Sequence, residues 1–331
     1  DVYKRQELLT AAALTLLLCG CSHKIEVRDK GFVRSIGCDG KENKTVSVRL
    51  YGEKDVLSGN GETIFTAIEN AETSQGKTLF TGHLELLALS PGNIREMLTV
   101  MMQNNRISPS CSLLMIPENA SGTIESYEET ELTDLIESGC RKGKIKNKNI
   151  SGVLNDLLED DAMAAVPALS NNKLTMAVID SDSIVGILSE EESQGLCWLT
   201  GSLRDIYLPV EVGGRTISFQ IRKSSPKLKA EFDGKNIKIT TEIKISGGSV
   251  EEGISHEEAS EAAAAKISGL CSKTISKTVT GMKADVLGIQ KCISSENINI
   301  NGEWKELIPR LQFYYSIKIC LLYTSPSPRD R

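Results

Sequence analysis

Apolar and polar residues alternate along many stretches of this chain with a period of two, which is typical of half-buried strands. Asp39-Gly40 and Asp233-Gly234 lie between such stretches and supply the turns of two predicted hairpins. The strand predicted at 78–89 ends in a nearly continuous apolar run, as in a central strand. The predicted strands are 31–39, 45–50, 78–89, 111–116, 174–179, 183–188, 207–210, 216–221, 228–232, 237–245 and 311–319.

Apolar residues at helical spacing predict the helices between these strands. Two of the helices are predicted at 61–73 and 93–104. Residues 122–170 are predicted to be helical, with acidic residues early and basic residues later, an order that the helix dipole favours. A long C-terminal helix follows a capping box formed by Ser255 and Glu258. Its apolar face consists of Ile267, Leu270, Cys271, Ile275, Val279, Met282 and Val286.

Together these elements predict an α+β fold with more than one domain. Residues 21–222 form a mixed α/β region, and the pattern leaves open whether 171–222 is a second subdomain. Residues 227–319 follow the order strand, strand, long helix, strand, which predicts an antiparallel sheet packed on that long helix. We place the boundary at 222–227, where Ser224-Ser225-Pro226 interrupts the alternation.

The N-terminal stretch has the pattern of a bacterial lipoprotein signal. Residues 8–18 are almost wholly apolar, and Gly20-Cys21 follows, with Leu18 three positions before the cysteine. The run is too short for a permanent span and suits a cleaved signal, predicted at 7–20 with its start missing. Cys21 would then carry a diacylglyceryl group as the new N-terminus, and two acyl chains hold a protein stably on a membrane. The alternative is a buried N-terminal helix with incidental cysteines.

Both ends of the chain are interpreted as foreign to it. Residues 1–6 can be encoded by a string whose reverse complement, read one base in, encodes residues 320–325. Such an inverted repeat is typical of adapter sequence that has been translated together with an insert. We therefore exclude residues 1–6 and 320–331 from the prediction of the fold.

The chain is mildly acidic, with 38 Lys and Arg against 44 Asp and Glu and a net charge of −6. This charge argues against nucleic-acid binding and against adhesion to a membrane through basic residues. Its two tryptophans, Trp198 and Trp304, are too few to indicate a stacking platform for sugars or bases.

The cysteines and histidines do not indicate a metal site. No Cys-x-x-Cys pair occurs, and His23, His83 and His256 are scattered along the chain, so zinc is not predicted. The chain has nine cysteines, of which Cys19, Cys21 and Cys320 are set aside. The other six permit either disulfides or buried free thiols. These open cases are Cys38, Cys111, Cys140, Cys197, Cys271 and Cys292.

Enzymes are the function class with the least support. Gly-x-Ser-x-Gly, Gly-rich phosphate loops and His-Glu-x-x-His are all missing, and no cofactor is predicted. His83 lies in a predicted strand without an indicated nucleophile or carboxylate partner, so a structural role is favoured over catalysis. Glu159-Asp160-Asp161 could attract a cation, but their spacing matches no EF-hand loop, and a solvated helix end is favoured.

Several short motifs occur in the same order as in one family of bacterial lipoproteins. They are Gly20-Cys21, Glu26, Asp29, Phe32-Val33, Ile36-Gly37-x-Asp39, Gly82-His83-Leu84, Gly195-Leu196-Cys197-Trp198-Leu199 and Ala284-Asp285-x-x-Gly288. From Cys21 to about Ile319 the chain resembles the Ger(x)C lipoproteins, the C subunits of spore germinant receptors. Ser22 replaces the tryptophan that usually follows the lipid cysteine, and Cys38 stands where a branched aliphatic residue is usual.

The resemblance implies a non-catalytic subunit, with Cys21 as its lipidation site, on the outer face of the spore inner membrane. Its implied partners are the A-type and B-type integral-membrane receptor subunits and membrane lipid, and no nucleic acid. The competing hypothesis is a solute-binding lipoprotein that delivers a ligand to a transporter. Such proteins usually have two α/β lobes joined by a hinge, whereas this chain ends in an antiparallel β–α unit, so the receptor subunit is favoured.

Overall fold

A mixed sheet of nine strands organises the N-terminal part of the described chain. The computed structural model describes residues 30–103, 107–158, 162–251, 253–298 and 302–321. The strands are β1 (Lys30–Asp39), β2 (Lys44–Leu50), β3 (Val56–Gly61), β4 (Thr78–Phe80), β5 (Leu86–Leu89), β6 (Ser112–Met115), β7 (Ala164–Ser170), β8 (Lys173–Ile179) and β9 (Ile184–Ile187). Their order is β3-β2-β1-β5-β6-β7-β8-β9, with β4 beside the start of β1. The central strands β1, β5, β6 and β7 run parallel, and antiparallel strands flank them on both sides.

Helices cover both faces of this sheet. Leu87 and Leu89 of β5 face α1 (Ile64–Gln75), α2 (Ile94–Gln103) and α5 (Ile150–Asp156) in one core. Leu86 and Ala88 face α3 (Ala120–Ser126), α4 (Glu131–Arg141) and α6 (Glu190–Thr200) in the other core. Because every residue of β5 is buried, its apolar run is continuous, as predicted for a central strand.

A second sheet of four strands forms the C-terminal part, in the order β10-β11-β12-β13. The strands are β10 (Arg204–Val212), β11 (Arg215–Phe232), β12 (Ile237–Ser249) and β13 (Leu311–Leu321). The long helix α7 (His256–Ile275) covers one face, and its last turn continues as a π-helical turn, Ser276–Gly281. Two short helices follow, α8 (Ile289–Ser295) and α9 (Trp304–Leu307).

The α+β class and the C-terminal sheet packed on a long helix are confirmed. Strands β10, β11 and β12 are antiparallel, as expected. The last strand, β13, pairs with β12 in parallel, because the chain crosses over through α7 before it returns to the sheet. β13 also continues through Cys320, which pairs with Ser246 although it lies in the excluded end.

The predicted boundary at 222–227 lies inside a continuous strand. β11 runs from Arg215 to Phe232, and Pro226 pairs with Ile243 of β12. Proline is tolerated there because β10 pairs with β11 only up to Lys223, so beyond that point β11 has a strand partner on one side only. The two sheets divide between β9 and β10, and β8 and β9 pair into the N-terminal sheet.

Three element predictions also need correction. Residues 122–170 contain three short helices and then the buried strand β7, because an asparagine at 119 and another at 149 start new helices. The strand predicted at 78–89 is divided into β4 and β5 by a turn at Gly82-His83. The long helix ends at Gly281, so Met282 and Val286 lie beyond it.

The described cysteines are free thiols. No disulfide joins any of them within the part of the chain that the structure describes. Burial raises the pKa of Cys38, Cys111, Cys197 and Cys271 to about 12, so each behaves as a small apolar core residue.

Candidate functional site

Cys21, the predicted lipidation site, lies outside the described residues. The same holds for Gly20, Glu26, Asp29 and the acidic triplet at 159–161. Among the described helices, none is both long and apolar enough to cross a bilayer. The described side chains also contain no group of three or more His, Cys, Asp or Glu that could hold a metal ion. The other motif residues are described, and their contacts show what each motif does in the fold.

The motif Ile36-Gly37-x-Asp39 joins the central strand β1 to helix α3. The carboxylate of Asp39 accepts hydrogen bonds from the backbone amides of Ala120 (2.6 Å) and Ser121 (2.7 Å), the first two residues of the helix. A Cβ atom on Gly37 would overlap the carbonyl oxygen of Ala120. This motif therefore holds α3 directly against the sheet.

Gly82-His83-Leu84 forms a turn beside an ion-pair network on β1. Arg34 forms salt bridges with Glu85 (2.9 Å) and Glu129 (3.0 Å), and its guanidinium lies 5.0 Å from the ring centroid of Tyr51. The Tyr51 hydroxyl donates to the carbonyl oxygen of His83 at 3.0 Å. A cavity of about 810 Å³ opens beside these side chains. The imidazole of His83 packs near the ring of Phe80, which supports a structural role.

The pKa shifts in this network follow from its contacts. The pKa of Glu129 is lowered, first by the hydrogen bond from the Gly52 amide and then by Arg34. Burial alone would lower the pKa of Arg34, but the two glutamates outweigh it and raise the value. Burial, together with Glu85, raises the pKa of Tyr51 to about 12. These shifts favour the charged forms of Arg34 and Glu129 near neutral pH and the neutral form of Tyr51.

The motif Gly195-Leu196-Cys197-Trp198-Leu199 lies on α6, the helix between the two sheets. A Cβ atom on Gly195 would overlap Thr274 Oγ1 and the carbonyl oxygen of Leu270 on α7. The hydroxyl of Thr274 crosses to α6 and donates to the carbonyl oxygen of Glu192 at 2.7 Å. Leu196 lies in an N-terminal core and Trp198 in the C-terminal core, so this motif connects the two parts of the molecule.

The motif Ala284-Asp285-x-x-Gly288 forms the entry to α8. The Asp285 carboxylate accepts hydrogen bonds from the amides of Ile289 (2.7 Å) and Gln290 (2.8 Å), and Gly288 has a φ of 73°. Burial raises the pKa of Asp285, and these backbone amides partly offset the shift. Trp304 Nε1 donates to the carbonyl oxygen of Lys283 at 2.7 Å, which fixes the start of the same loop.

We expect Asp285→Ala to reduce the free energy of unfolding by about 1–2 kcal/mol, because the two amides lose their acceptor. Urea titration followed by circular dichroism measures this change. Asp285→Asn is the matched control, because its amide oxygen still accepts a hydrogen bond, and it should recover most of the loss. An alanine variant as stable as the wild type would contradict this role of Asp285.

A cleft of about 1150 Å³ lies between the two sheets and is lined by residues of both. Lys146, Lys148 and Asp156 line its N-terminal wall, and Asp285 and Trp304 line its C-terminal wall. The lining of this cleft therefore includes both motif residues, such as Asp285, and lysines that no motif identified. The signal for those lysines is weak, because Lys-x-Lys in a polar segment usually indicates only a solvated loop.

Two lysines of the cleft, Lys146 and Lys148, are already engaged within the chain. Lys148 forms a salt bridge with Asp156, and Lys146 Nζ donates to the carbonyl oxygen of Thr200 at 3.0 Å. Burial, and then the charge of Lys146, lowers the pKa of Lys148 to about 8. Because Lys146, Lys148 and Asp156 all have internal partners, this wall of the cleft resembles a structural contact more than a reaction centre.

Two family models match consecutive parts of the chain. "Spore germination protein N-terminal domain" matches residues 23–171, and "Spore germination B3/ GerAC like, C-terminal" matches residues 175–324. The chain belongs to the GerAC-like family of spore germination proteins. The family that the motifs indicated, Ger(x)C, is thereby confirmed, and spore germination is the process in which its members are named.

Individual relatives match along almost the whole chain. Spore germination protein B3 of Bacillus subtilis (strain 168) is 20% identical, over 93% of this chain and 95% of the relative. Spore germination protein YndF of the same strain is 19% identical, over 97% of both chains. The crystal structure of the GerBC protein has a TM-score of 0.60 and 14% identity, and the match covers 87% of this chain and 96% of that one. The last comparison shows a shared fold.

Proposed function

We propose that this chain is the membrane-anchored, non-catalytic C subunit of a spore germinant receptor. The observation that carries the proposal is the match of two spore germination family models over residues 23–171 and 175–324. The lipoprotein signal that ends at Cys21 supports an anchor at the outer face of the spore inner membrane.

The roles of the motif residues support scaffolding over chemistry. Asp39 and Asp285 accept backbone amides of helices, and Gly37 and Gly195 allow close approach between elements. None of these four residues requires a substrate to explain its contacts. In the proposed mechanism, the lipid on Cys21 keeps the subunit beside the A-type and B-type integral-membrane subunits, and the folded surface docks on them.

Under a high-salt wash, we expect Cys21→Ala to move the protein from the membrane fraction of spores to the soluble fraction, because the thiol that accepts the lipid is gone. Fractionation followed by immunoblotting measures the distribution. Cys19→Ala is the matched control, since residue 19 lies in the segment removed with the signal, and this variant should stay on the membrane. Retention of the Cys21 variant under high salt would contradict the anchor.

The partners are tested separately from the anchor. Affinity purification of the detergent-solubilised wild-type protein should recover the A-type and B-type subunits. Recovery of a permease and an ATPase instead would support the solute-binding alternative. The genes beside this one provide a parallel test, because a receptor subunit is expected next to genes for its integral-membrane partners.

A further inference from the structure

The outward face of the C-terminal sheet carries a concentration of lysines. Inward residues of β12, such as Ile239 and Ile243, are buried against α7, so the residues between them point away from the helix. The strand register places outward residues of β11 and β13 beside those of β12. We call this surface the lysine face, and its basic residues are Lys227, Lys229, Lys238, Lys244 and Lys318.

The lysine face is positive on a chain whose net charge is −6. On β11 and β12 its acidic residues are Glu231 and Glu242, which form salt bridges with Lys238 (3.5 Å) and Lys229 (2.9 Å), and Glu211 of β10 is a third acidic residue on this side of the sheet. The other three lysines of the face form no salt bridge with any residue that the structure describes, and all three are exposed. They are Lys227, Lys244 and Lys318.

The lysines of different strands are close enough to act together. Lys244 of β12 pairs in register with Lys318 of β13, and Lys227 of β11 pairs with Glu242. The pKa of Glu242 is lowered first by its hydrogen bond with Lys229, with contributions from the charges of Lys318 and Lys227. Lysines of β11 and β13 thus lie on both sides of one carboxylate of β12.

Two exposed tyrosines lie on the same side of the sheet. Tyr314 pairs with Thr240 and is 47% exposed, and the ammonium of Lys238 lies 5.2 Å from the centroid of its ring. Tyr207 on β10 pairs with Gln220 and is 62% exposed. Tyrosine is enriched where a protein meets the polar layer of a membrane, because its ring is apolar and its hydroxyl is polar.

We propose that the lysine face rests on the anionic phospholipid headgroups of the membrane to which the chain is anchored. Neighbouring strands are about 4.8 Å apart, and outward residues on one strand recur about every 6.8 Å. The ammonium groups are therefore spread over a plane, which suits many phosphates at a surface better than one acidic group in a pocket. The proposal rests on the membrane location proposed above, and it gives the C-terminal sheet a contact of its own beside the lipid anchor.

The test measures binding of the full chain to vesicles without the contribution of the lipid. The protein carries Cys21→Ser, so failure of lipidation cannot affect the result. Co-sedimentation compares phosphatidylcholine vesicles with and without phosphatidylglycerol, at low and high salt. The test variant combines Lys227→Gln, Lys244→Gln and Lys318→Gln. The control variant has the same charge change at exposed lysines of the N-terminal part, Lys54, Lys142 and Lys173, each replaced by Gln.

The reference chain, which carries Cys21→Ser alone, should bind the anionic vesicles at low salt and be released at high salt. The lysine-face variant should bind at least about tenfold more weakly, and the control variant should bind within about twofold of the reference chain. Equal loss in both variants would overturn the proposal, because it would indicate only net charge. Lack of binding to anionic vesicles would also overturn it, including the case in which the face binds an acidic protein instead.

Discussion

Replacing Trp198 with alanine is expected to reduce the free energy of unfolding by about 3–5 kcal/mol. The indole is 1% exposed, and it lies in the core between α6, α7 and the C-terminal sheet. Its removal loses the transfer free energy of a large apolar side chain, and it leaves a cavity that the surrounding strands can fill only partly. Chemical denaturation measures the change, and Tyr207→Ala at the exposed face should stay within about 0.5 kcal/mol of the wild type.

The same helix allows a sharper comparison, because α6 contributes to two cores. Leu196 is buried in the N-terminal core with Ala88 and Val178, whereas Trp198 is buried in the C-terminal core. Hydrogen exchange should therefore show faster opening of β10–β12 in Trp198→Ala, and faster opening of β5 and β8 in Leu196→Ala. If both variants loosen the same strands equally, the two cores are a single cooperative unit, and the assignment of each side chain to its own core is wrong.

The elements that could be predicted from the sequence are those whose pattern depends on burial alone. β12 alternates isoleucine with polar residues, so its two faces can be identified without knowledge of its partners. Helix α2 was predicted in the same way, because Ile94, Met97, Leu98 and Met101 recur at helical spacing and are all buried. In both cases one face of the element lies against a core.

The failures occur where long-range contacts decide the structure. β7 contains Pro167 and three alanines, so its local pattern is weak, and it becomes a strand because β8 pairs with its whole length. Ser224-Ser225-Pro226 is typical of a loop, yet pairing with β12 keeps it extended. Such pairing partners cannot be recognised from the segment itself.

The lysine face could not be predicted from composition for a similar reason. The net charge of −6 argues against adhesion through basic residues, but a net charge averages over all surfaces. Lys227, Lys244 and Lys318 come together only through the register of β11, β12 and β13, and the last of them is 74 positions or more from the others along the chain. Predicting a local charge pattern in a sheet therefore requires knowledge of the strand order.

The resemblance identified important positions but not what they do. Gly37, Gly195 and Asp285 belong to motifs that indicate a family. Each one contacts the backbone of another element: Gly37 lies against α3, Gly195 lies against α7, and Asp285 accepts a hydrogen bond at the start of α8. For Gly195 the partner helix α7 lies more than sixty residues ahead in the sequence. The reason for a glycine there appears only when the two helices are seen in contact.

The contact between α6 and α7 predicts opposite stability changes when alanine replaces each of two helical glycines. Gly269→Ala on α7 should raise the free energy of unfolding by about 0.5–1 kcal/mol, because alanine favours a helix and no atom lies within 4 Å of its new Cβ. Gly195→Ala on α6 gains the same propensity, but its Cβ would overlap both Thr274 Oγ1 and the carbonyl oxygen of Leu270. Overpacking of this kind costs about 1–3 kcal/mol, so we expect a net loss of stability.

A double variant distinguishes a side-chain obstacle from a backbone obstacle. Thr274→Ala removes the hydroxyl that meets the new Cβ of Gly195→Ala, yet the carbonyl oxygen of Leu270 remains in its place. Because a helix backbone cannot rotate away as a side chain can, Gly195→Ala should still be destabilising when Thr274→Ala is the reference background. Thermal denaturation of the four proteins in this cycle measures the coupling. Full recovery in the double variant would mean that α6 and α7 are separated by side chains and do not meet through their backbones.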